Sequence, residues 1–164
     1  MKILRILKHL LTTNRQVKRA FPHSALDAIE AAIKASETAH AGEIRFVVEG
    51  ALDGMPLFKG QSPRNRAIEL FAQLRVWDTE HNNGLLIYLL LADRAVEIVA
   101  DRGVHAKVGT EEWGKVCRQM ELAFKQSNYR DGVIKGVQAV ARHLVQHFPA
   151  DDDPDELPNR PIVL

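Results

Sequence analysis

The sequence predicts a three-layer α/β/α sandwich built on a small mixed, mostly parallel sheet. The main observation is Leu85–Ala92, a run of eight apolar residues that suits a strand covered on both faces. A second run, Ala95–Ala100, follows after only Asp93 and Arg94, so the two runs predict a hairpin. Segments with helical spacing flank this unit on both sides. The predicted order of elements is therefore α–β–α–β–β–α–α.

The remaining elements are predicted from their periodicity and their stop signals. Glu43–Glu49 alternates apolar residues with Arg45, which predicts a strand. Because a helix separates this strand from the next, a right-handed crossover would make the two strands parallel. The helix that starts at Pro63 is expected to bury Ile68. Helices are predicted for Ser24–His40, Ser62–Val76 and Gly132–His147, and another is predicted to begin at Thr110.

Composition limits the possible classes of function. A chain of 164 residues is predicted to form one domain, and a net charge of +1 gives no reason to expect nucleic acid as a partner. A single cysteine, Cys117, excludes an internal disulfide and a cysteine-rich metal site. Because Cys117 lies in a helical apolar pattern, it is predicted to be a small core residue.

The first twenty residues form a basic amphipathic segment. Residues 1–23 contain six Lys or Arg residues and no acid, and the apolar residues share one helical face. This face either docks on protein, namely the chain's own domain or a second subunit, or it lies on an anionic membrane surface. The short length of the segment favours docking, because so few helical turns bind a membrane weakly. The apolar residues of the face are Ile3, Leu4, Ile6, Leu7, Leu10 and Leu11.

The other end of the chain is acidic and contains several prolines. Residues 21–149 are predicted to be the folded domain, and residues 150–164 a mobile tail. The basic and acidic ends either attract each other, meet separate partners, or stay solvated. The acidic residues of the tail are Asp151, Asp152, Asp153, Asp155 and Glu156.

The order of charges at the N-terminus differs from that of a secretory signal. Basic residues interrupt the apolar ones, and no small-residue cleavage site follows them. The sequence therefore predicts a cytoplasmic protein, with a position peripheral to the inner face of the membrane as the alternative that the basic segment suggests.

Several segments resemble the TPM domain family. They are the strand EIRFVVE, the pair Val76-Trp77, the turn Asn82–Gly84, the link Asp93-Arg94 and the segment Phe124–Gly136. The resemblance implies a compact α/β/α sandwich over about residues 25–148. It also implies the acid phosphatase activity and divalent-cation binding that have been attached to some members.

Three features depart from the pattern of that family. Asn82 stands where the family usually has an aspartate, and Asp101–Gly103 replaces a Gly-x-Gly-like piece. The early aspartate and the secretory signal that most relatives carry are not matched either. Each departure weakens a metal site carried over from the family.

Polar residues gather at one end of the predicted hairpin and suggest a site for a hard cation. Ca²⁺ and Mg²⁺ prefer several oxygen ligands, including one or two carboxylates. The alternative is that Asn-Asn-Gly is only turn chemistry, because Asn and Gly tolerate positive φ. The candidate ligands are Asp78, Asn82, Asn83, Asp101 and Glu43.

The same end carries the candidate catalytic residues His81, Asp101, Arg102 and His105. Arg102 would neutralise phosphoryl oxygens, and either histidine would act as the acid or join a softer transition-metal site. The sequence offers no evident nucleophile for such a reaction.

Two functions therefore remain open at this stage. The favoured one is a non-catalytic interaction module that meets a protein or membrane-surface partner through the N-terminal segment. The alternative is a metal-dependent, acid-phosphatase-like phosphomonoester hydrolase.

Overall fold

The sheet of the computed structural model, which describes residues 2–152 and 154–164, has four strands in the order β3-β2-β1-β4. β1 pairs in parallel with β2 and β4, and β2 pairs antiparallel with β3. The mixed, mostly parallel sheet is therefore confirmed, with one strand more than predicted. The strands are β1 (Glu43–Glu49), β2 (Gly84–Leu90), β3 (Ala95–Ala100) and β4 (Ile162–Val163).

Eight helices surround this sheet over the described residues. Three of them were not predicted as separate helices, and one of these three begins at a capping box between Thr13 and Gln16. In the described part of the chain, no helix combines the length and the apolar character needed to cross a membrane. The helices are α1 (Lys2–Leu11), α2 (Asn14–Ala20), α3 (His23–Ser36), α4 (Gly54–Phe58), α5 (Pro63–Gln73), α6 (Arg102–Val108), α7 (Thr110–Lys125) and α8 (Tyr129–His147).

Two hydrophobic cores lie on opposite faces of the sheet. Every residue of β1 and β2 is buried, and for β2 this confirms the prediction of a strand that is covered on both sides. Alternate residues of β2 serve different cores, because successive side chains of a strand point to opposite faces. Leu85 and Ile87 pack with α3, α7 and α8, whereas Leu86 and Tyr88 pack with α5.

Details of this packing confirm one expectation and correct another. Cys117 packs against the larger core, and burial raises the pKa of its thiol to about 12. Ile68, which was expected to be buried, is 47% exposed. Helix α5 instead buries Ala67, which immediately precedes Ile68, and Leu70 in the smaller core.

The C-terminal residues return to the sheet, so the prediction of a mobile tail is wrong for the described residues 154–164. Leu164 donates its amide to the Val48 carbonyl at 2.8 Å, and its own carbonyl accepts from the Gly50 amide at 3.1 Å. Leu157 is buried in the smaller core. The apolar residues after Pro161 thus supply the fourth strand, while Asp153 of the acidic run lies outside the described residues.

A polar clamp fixes α1 to the turn between β2 and β3. The carboxylate of Asp93, in this turn, accepts from Arg5 Nε at 3.0 Å and contacts His9 Nε2 at 3.0 Å. The His9 Nδ1 atom accepts the Leu52 amide at 2.9 Å, so the proton of the imidazole lies on Nε2, where it is donated to Asp93. One buried histidine therefore links α1 to two separate loops.

The clamp corrects the expectation that the apolar face of α1 docks on the chain's own domain, whereas docking on a second subunit stays a prediction. The side of the helix that carries Arg5 and His9 faces the domain, and of the apolar residues only Ile6 packs against a core. The others are exposed, because the ion pair and the buried histidine set the rotation of the helix.

We predict that His9→Ala lowers the free energy of unfolding by about 3 kcal/mol, because it leaves the Leu52 amide and the Asp93 carboxylate without this partner. Urea denaturation would measure the loss. The control is His23→Ala, which changes an exposed histidine and should shift stability by less than about 0.5 kcal/mol. Equal stability of the His9 variant and the control would show that the clamp contributes nothing.

Candidate metal centre

The two strand ends that were predicted to form a site do lie side by side. Leu85 pairs with Ala100, and the Asp101 amide donates to the Gly84 carbonyl at 2.9 Å. The segment before β2 packs closely against the start of β2 and the first turn of α6. A Cβ atom on Gly84 would lie 2.0 Å from the Val76 carbonyl oxygen, and one on Gly103 would lie 2.6 Å from the Asn82 carbonyl oxygen. These glycines thus allow close backbone contact.

The side chains predicted at this end have varied surroundings. The Oδ1 atom of Asp101 accepts the Arg102 amide at 2.7 Å at the start of α6, while its Oδ2 is buried without a hydrogen-bond partner among the described residues. Asn83 is buried, and its Nδ2 donates to the Ala41 carbonyl at 2.7 Å. Asp78 pairs with Arg75 at 2.6 Å.

The other predicted residues lie in the loop before β2 and in helix α6. Asn82 has a φ of 53°, which agrees with the turn interpretation of its motif. His81, Arg102 and His105 are exposed. Across residues 2–152 and 154–164, only Glu43 of the predicted ligands belongs to a group of at least three His, Cys, Asp or Glu side chains at metal-binding spacing. The catalytic roles assigned to His81, Asp101, Arg102 and His105 stay predictions.

The group that contains Glu43 is completed by Glu37 and Asp155. One ligand oxygen from each of the three carboxylates lies within 4.8 Å of the others. Two oxygens on opposite sides of a bound Ca²⁺ are about 5 Å apart, so this spacing matches a shared cation. The cluster could therefore hold a metal ion.

Each carboxylate is positioned by a different element. Glu37 follows α3 directly, and its Oε1 accepts the Ile44 amide at 3.0 Å. Glu43 opens β1, and its two oxygens accept the amides of Glu156 at 3.2 Å and Leu157 at 3.3 Å. Asp155 immediately precedes these two residues. The cluster therefore forms where the returning tail meets the start of β1.

Burial raises the pKa of two of these carboxyl groups. The pKa of Glu37 rises to about 8, mainly by desolvation and also by the nearby negative charges of Glu43 and Asp155. The pKa of Glu43 rises to about 7 for the same reasons, with Glu156 as a further negative neighbour. In the part of the chain that the structure describes, none of the three carboxylates forms an ion pair with Lys or Arg. One basic side chain beside the cluster, that of Lys34, lines the adjoining cavity without an ion pair to any of the three.

A cavity of about 190 Å³ opens beside the carboxylates. His40 lines it and is only 3% exposed, and desolvation lowers the pKa of its imidazole to about 4. The His40 Nδ1 atom has no hydrogen-bond partner among the described residues, and Nε2 lies 3.3 Å from the Ser36 hydroxyl. The Oδ1 atom of Asn159, which also lines the cavity, is buried and unpartnered in the same set. Asn159 turns its amide nitrogen toward the cluster and donates it to Asp155 Oδ2 at 3.3 Å, so the three carboxylates are the ligand set that the geometry supports.

Glu37 and Asp155 were missed for different reasons. Glu37 lies six residues before Glu43, across a short link between helix and strand. Their proximity could therefore have been predicted from the sequence. Asp155 reaches the cluster only because the tail returns. The signal for that return was the apolar end Ile162–Leu164, which reads as a short strand after Pro161.

The architecture places the chain among α/β/α sandwich domains with a mixed sheet and an acidic cluster at one end. A family model described as the TPM domain matches residues 18–143. This match covers more than half of the sequence, and the chain belongs to the TPM domain family. The resemblance seen in the sequence is thereby confirmed.

The solved structures that are similar to this chain include two proteins from bacteria. The BA42 protein of the psychrophilic bacterium Bizionia argentinensis, solved by NMR, is 31% identical, with 85% of this chain and 92% of that chain covered and a TM-score of 0.73. The N-terminal domain of a protein from P. gingivalis is 25% identical, with 74% of this chain and 76% of that chain covered and a TM-score of 0.57. A search of curated proteins finds no match.

We predict that Gly84→Ala lowers the free energy of unfolding by at least about 3 kcal/mol, because the new methyl group would overlap the rigid Val76 carbonyl. Thermal or urea unfolding would measure this. Gly60→Ala is a useful comparison, since nothing lies within 4 Å of its Cβ position and its cost comes from a positive φ alone. A smaller loss at Gly84 than at Gly60 would contradict the packing role.

We predict that the metal-free protein becomes less stable as the pH rises from about 4.5 to about 8. The folded pKa values of Glu37 and Glu43, about 8 and about 7, exceed the ordinary value of 4.5, so the folded state holds protons that the unfolded state releases. Melting temperatures across this range, measured with a chelator present, would show the fall.

The matched variants for this pH experiment are Glu37→Gln and Glu111→Gln. The first removes a titrating group from the cluster and should flatten the pH dependence. The second changes a carboxylate whose side chain is 83% exposed on α7 and should leave it as it was. An unchanged profile in Glu37→Gln would contradict the raised pKa.

Proposed function

We propose that this TPM domain is a non-catalytic module that binds Ca²⁺ or Mg²⁺ through Glu37, Glu43 and Asp155. One observation carries the proposal. An acidic segment of the tail folds back onto buried Glu43 and half-buried Glu37, although like charges repel and no Lys or Arg is ion-paired with them among the described residues. A divalent cation would supply the missing positive charge.

The donor set supports a hard cation. The three carboxylates are oxygen ligands, which Ca²⁺ and Mg²⁺ prefer. A bound cation would also favour the ionised forms of Glu37 and Glu43, so its affinity should increase as the pH rises through 7 to 8. His40 lies at the edge of this set, where its ring nitrogen is a donor better suited to a softer metal.

The role proposed for the cation is to hold the tail against the sheet. Glu43 already accepts two backbone amides of the tail, and a cation shared with Asp155 would add a second attachment. Cation binding would then determine whether the C-terminal segment is held or released, which is a means of controlling interaction with a partner. Because the tail covers the cluster, we do not assign phosphate-ester hydrolysis to it.

We predict that Ca²⁺ or Mg²⁺ raises the melting temperature of the full chain at pH 8. A ligand at 100 times its dissociation constant adds about 2.7 kcal/mol to the free energy of unfolding, which is readily measured. The Glu43→Gln variant keeps a hydrogen-bond acceptor for the tail but loses a charge. Its affinity for the cation should therefore be at least tenfold lower, and its melting temperature should rise less. Glu111→Gln should respond like the parent chain. Titration calorimetry would supply the affinities.

A phosphatase assay separates this proposal from hydrolysis. We expect p-nitrophenyl phosphate to be turned over no faster than in a blank, with or without the cation. Cation-dependent turnover that is lost in Asp101→Ala or His81→Ala would contradict the non-catalytic role and favour the hydrolase instead. The absence of any response to cations in the thermal assay would contradict the binding itself.

A further inference from the structure

Helix α1 presents its apolar side to solvent. Arg5 and His9 lie four residues apart on the side that faces the domain. Surface helices of globular proteins usually show the reverse arrangement, with the apolar stripe toward the core. The outward side carries Ile3, Leu4, Leu7, Leu10 and Leu11, which are between 47% and 73% exposed.

The neighbouring helix α4 enlarges this apolar surface. It packs against α1 and carries Met55 and Phe58, each of which is 61% exposed. Large contiguous apolar patches are uncommon on free-standing domains and mark sites of interaction. We call the exposed apolar residues of these two helices the α1–α4 face.

Basic residues border the α1–α4 face. A cleft of about 990 Å³ between α1, α2 and the start of α8 is lined by Lys8, Arg19, Arg94 and Arg130, and Leu11 of the face also lines it. Over residues 2–152 and 154–164, none of these four cations forms an ion pair with a carboxylate. Lys2, Arg15 and Lys18, which are all exposed, add further positive charge.

We propose that the α1–α4 face binds the surface of an anionic lipid bilayer. A helix with an outward apolar side lies in the interfacial region of a bilayer, and basic residues beside it attract anionic headgroups. The exposed Leu side chains of α1 and Phe58 of α4, which packs against α1, would both insert into the bilayer. The clamp of His9 and Arg5 on Asp93 holds α1 in this orientation before it meets the membrane.

The charge pattern favours a bilayer over a second copy of the chain. A symmetric dimer through this face would bring the basic borders of two copies together, and like charges oppose such contact. An anionic bilayer, such as the cytoplasmic leaflet, neutralises them instead. The proposal rests on α1 and α4 and is independent of the cation site.

The test is co-sedimentation of the full chain with two kinds of vesicle. Vesicles of phosphatidylcholine mixed with phosphatidylglycerol should bind the chain, and vesicles of phosphatidylcholine alone should bind it at least tenfold more weakly. Leu7→Asp should weaken binding to the anionic vesicles at least tenfold, while Leu122→Asp, at an exposed leucine of α7, should leave it unchanged. Thermal unfolding of both variants verifies that they remain folded.

Charge is tested separately with Lys8→Glu and its control Lys107→Glu. Each basic residue at an anionic surface contributes about fivefold to binding, so reversal at Lys8 should weaken it by at least that factor, whereas reversal at Lys107 should have a much smaller effect. Failure to bind anionic vesicles would overturn the proposal. So would a stable dimer in solution that Leu7→Asp dissociates, because the face would then belong to a second copy.

Discussion

The parallel pairing of β1 with β2 determines where both candidate surfaces lie. Glu43 stands opposite Gly84 at one end of this pair, and Glu49 stands opposite Leu90 at the other. The first end meets the tail and forms the acidic cluster. The second end leads to the turn at Asp93, which holds α1. Because the two surfaces lie at opposite ends of one rigid sheet, a change at either need not disturb the other.

The sheet also contains a buried polar network close to its α1 end. Tyr88 donates its hydroxyl to Glu49 at 2.7 Å, and Arg66 donates twice to the same carboxylate at 2.9 Å. The hydrogen bonds to Glu49 raise the pKa of Arg66, while burial and the same carboxylate raise that of Tyr88. Here a buried carboxylate is fully matched by donors. Glu37 and Glu43 differ from Glu49, because they accept hydrogen bonds from backbone amides but form no ion pair with Lys or Arg among the described residues.

The sequence predicted the features that depend on local pattern. The continuous apolar run at Leu85 identified a strand buried on both faces, and the short link at Asp93 identified the hairpin. The rotation of α1 was not predictable, because it depends on a histidine that bonds Leu52 and Asp93, which lie 43 and 84 residues away. The proximity of Glu37 to Glu43 could have been predicted, because the two are close in sequence. That of Asp155 could not, because only the return of the tail brings it to Glu43.

The return of the tail has a consequence for the solubility of the domain. Strand β4 covers the backbone edge of β1, whose seven residues are all buried. Without β4, the unpaired amides and carbonyls of a largely apolar strand would form a template on which another chain could add a strand. Two residues of regular strand therefore protect the part of this edge at Val47 and Val48 from pairing with the backbone of another chain.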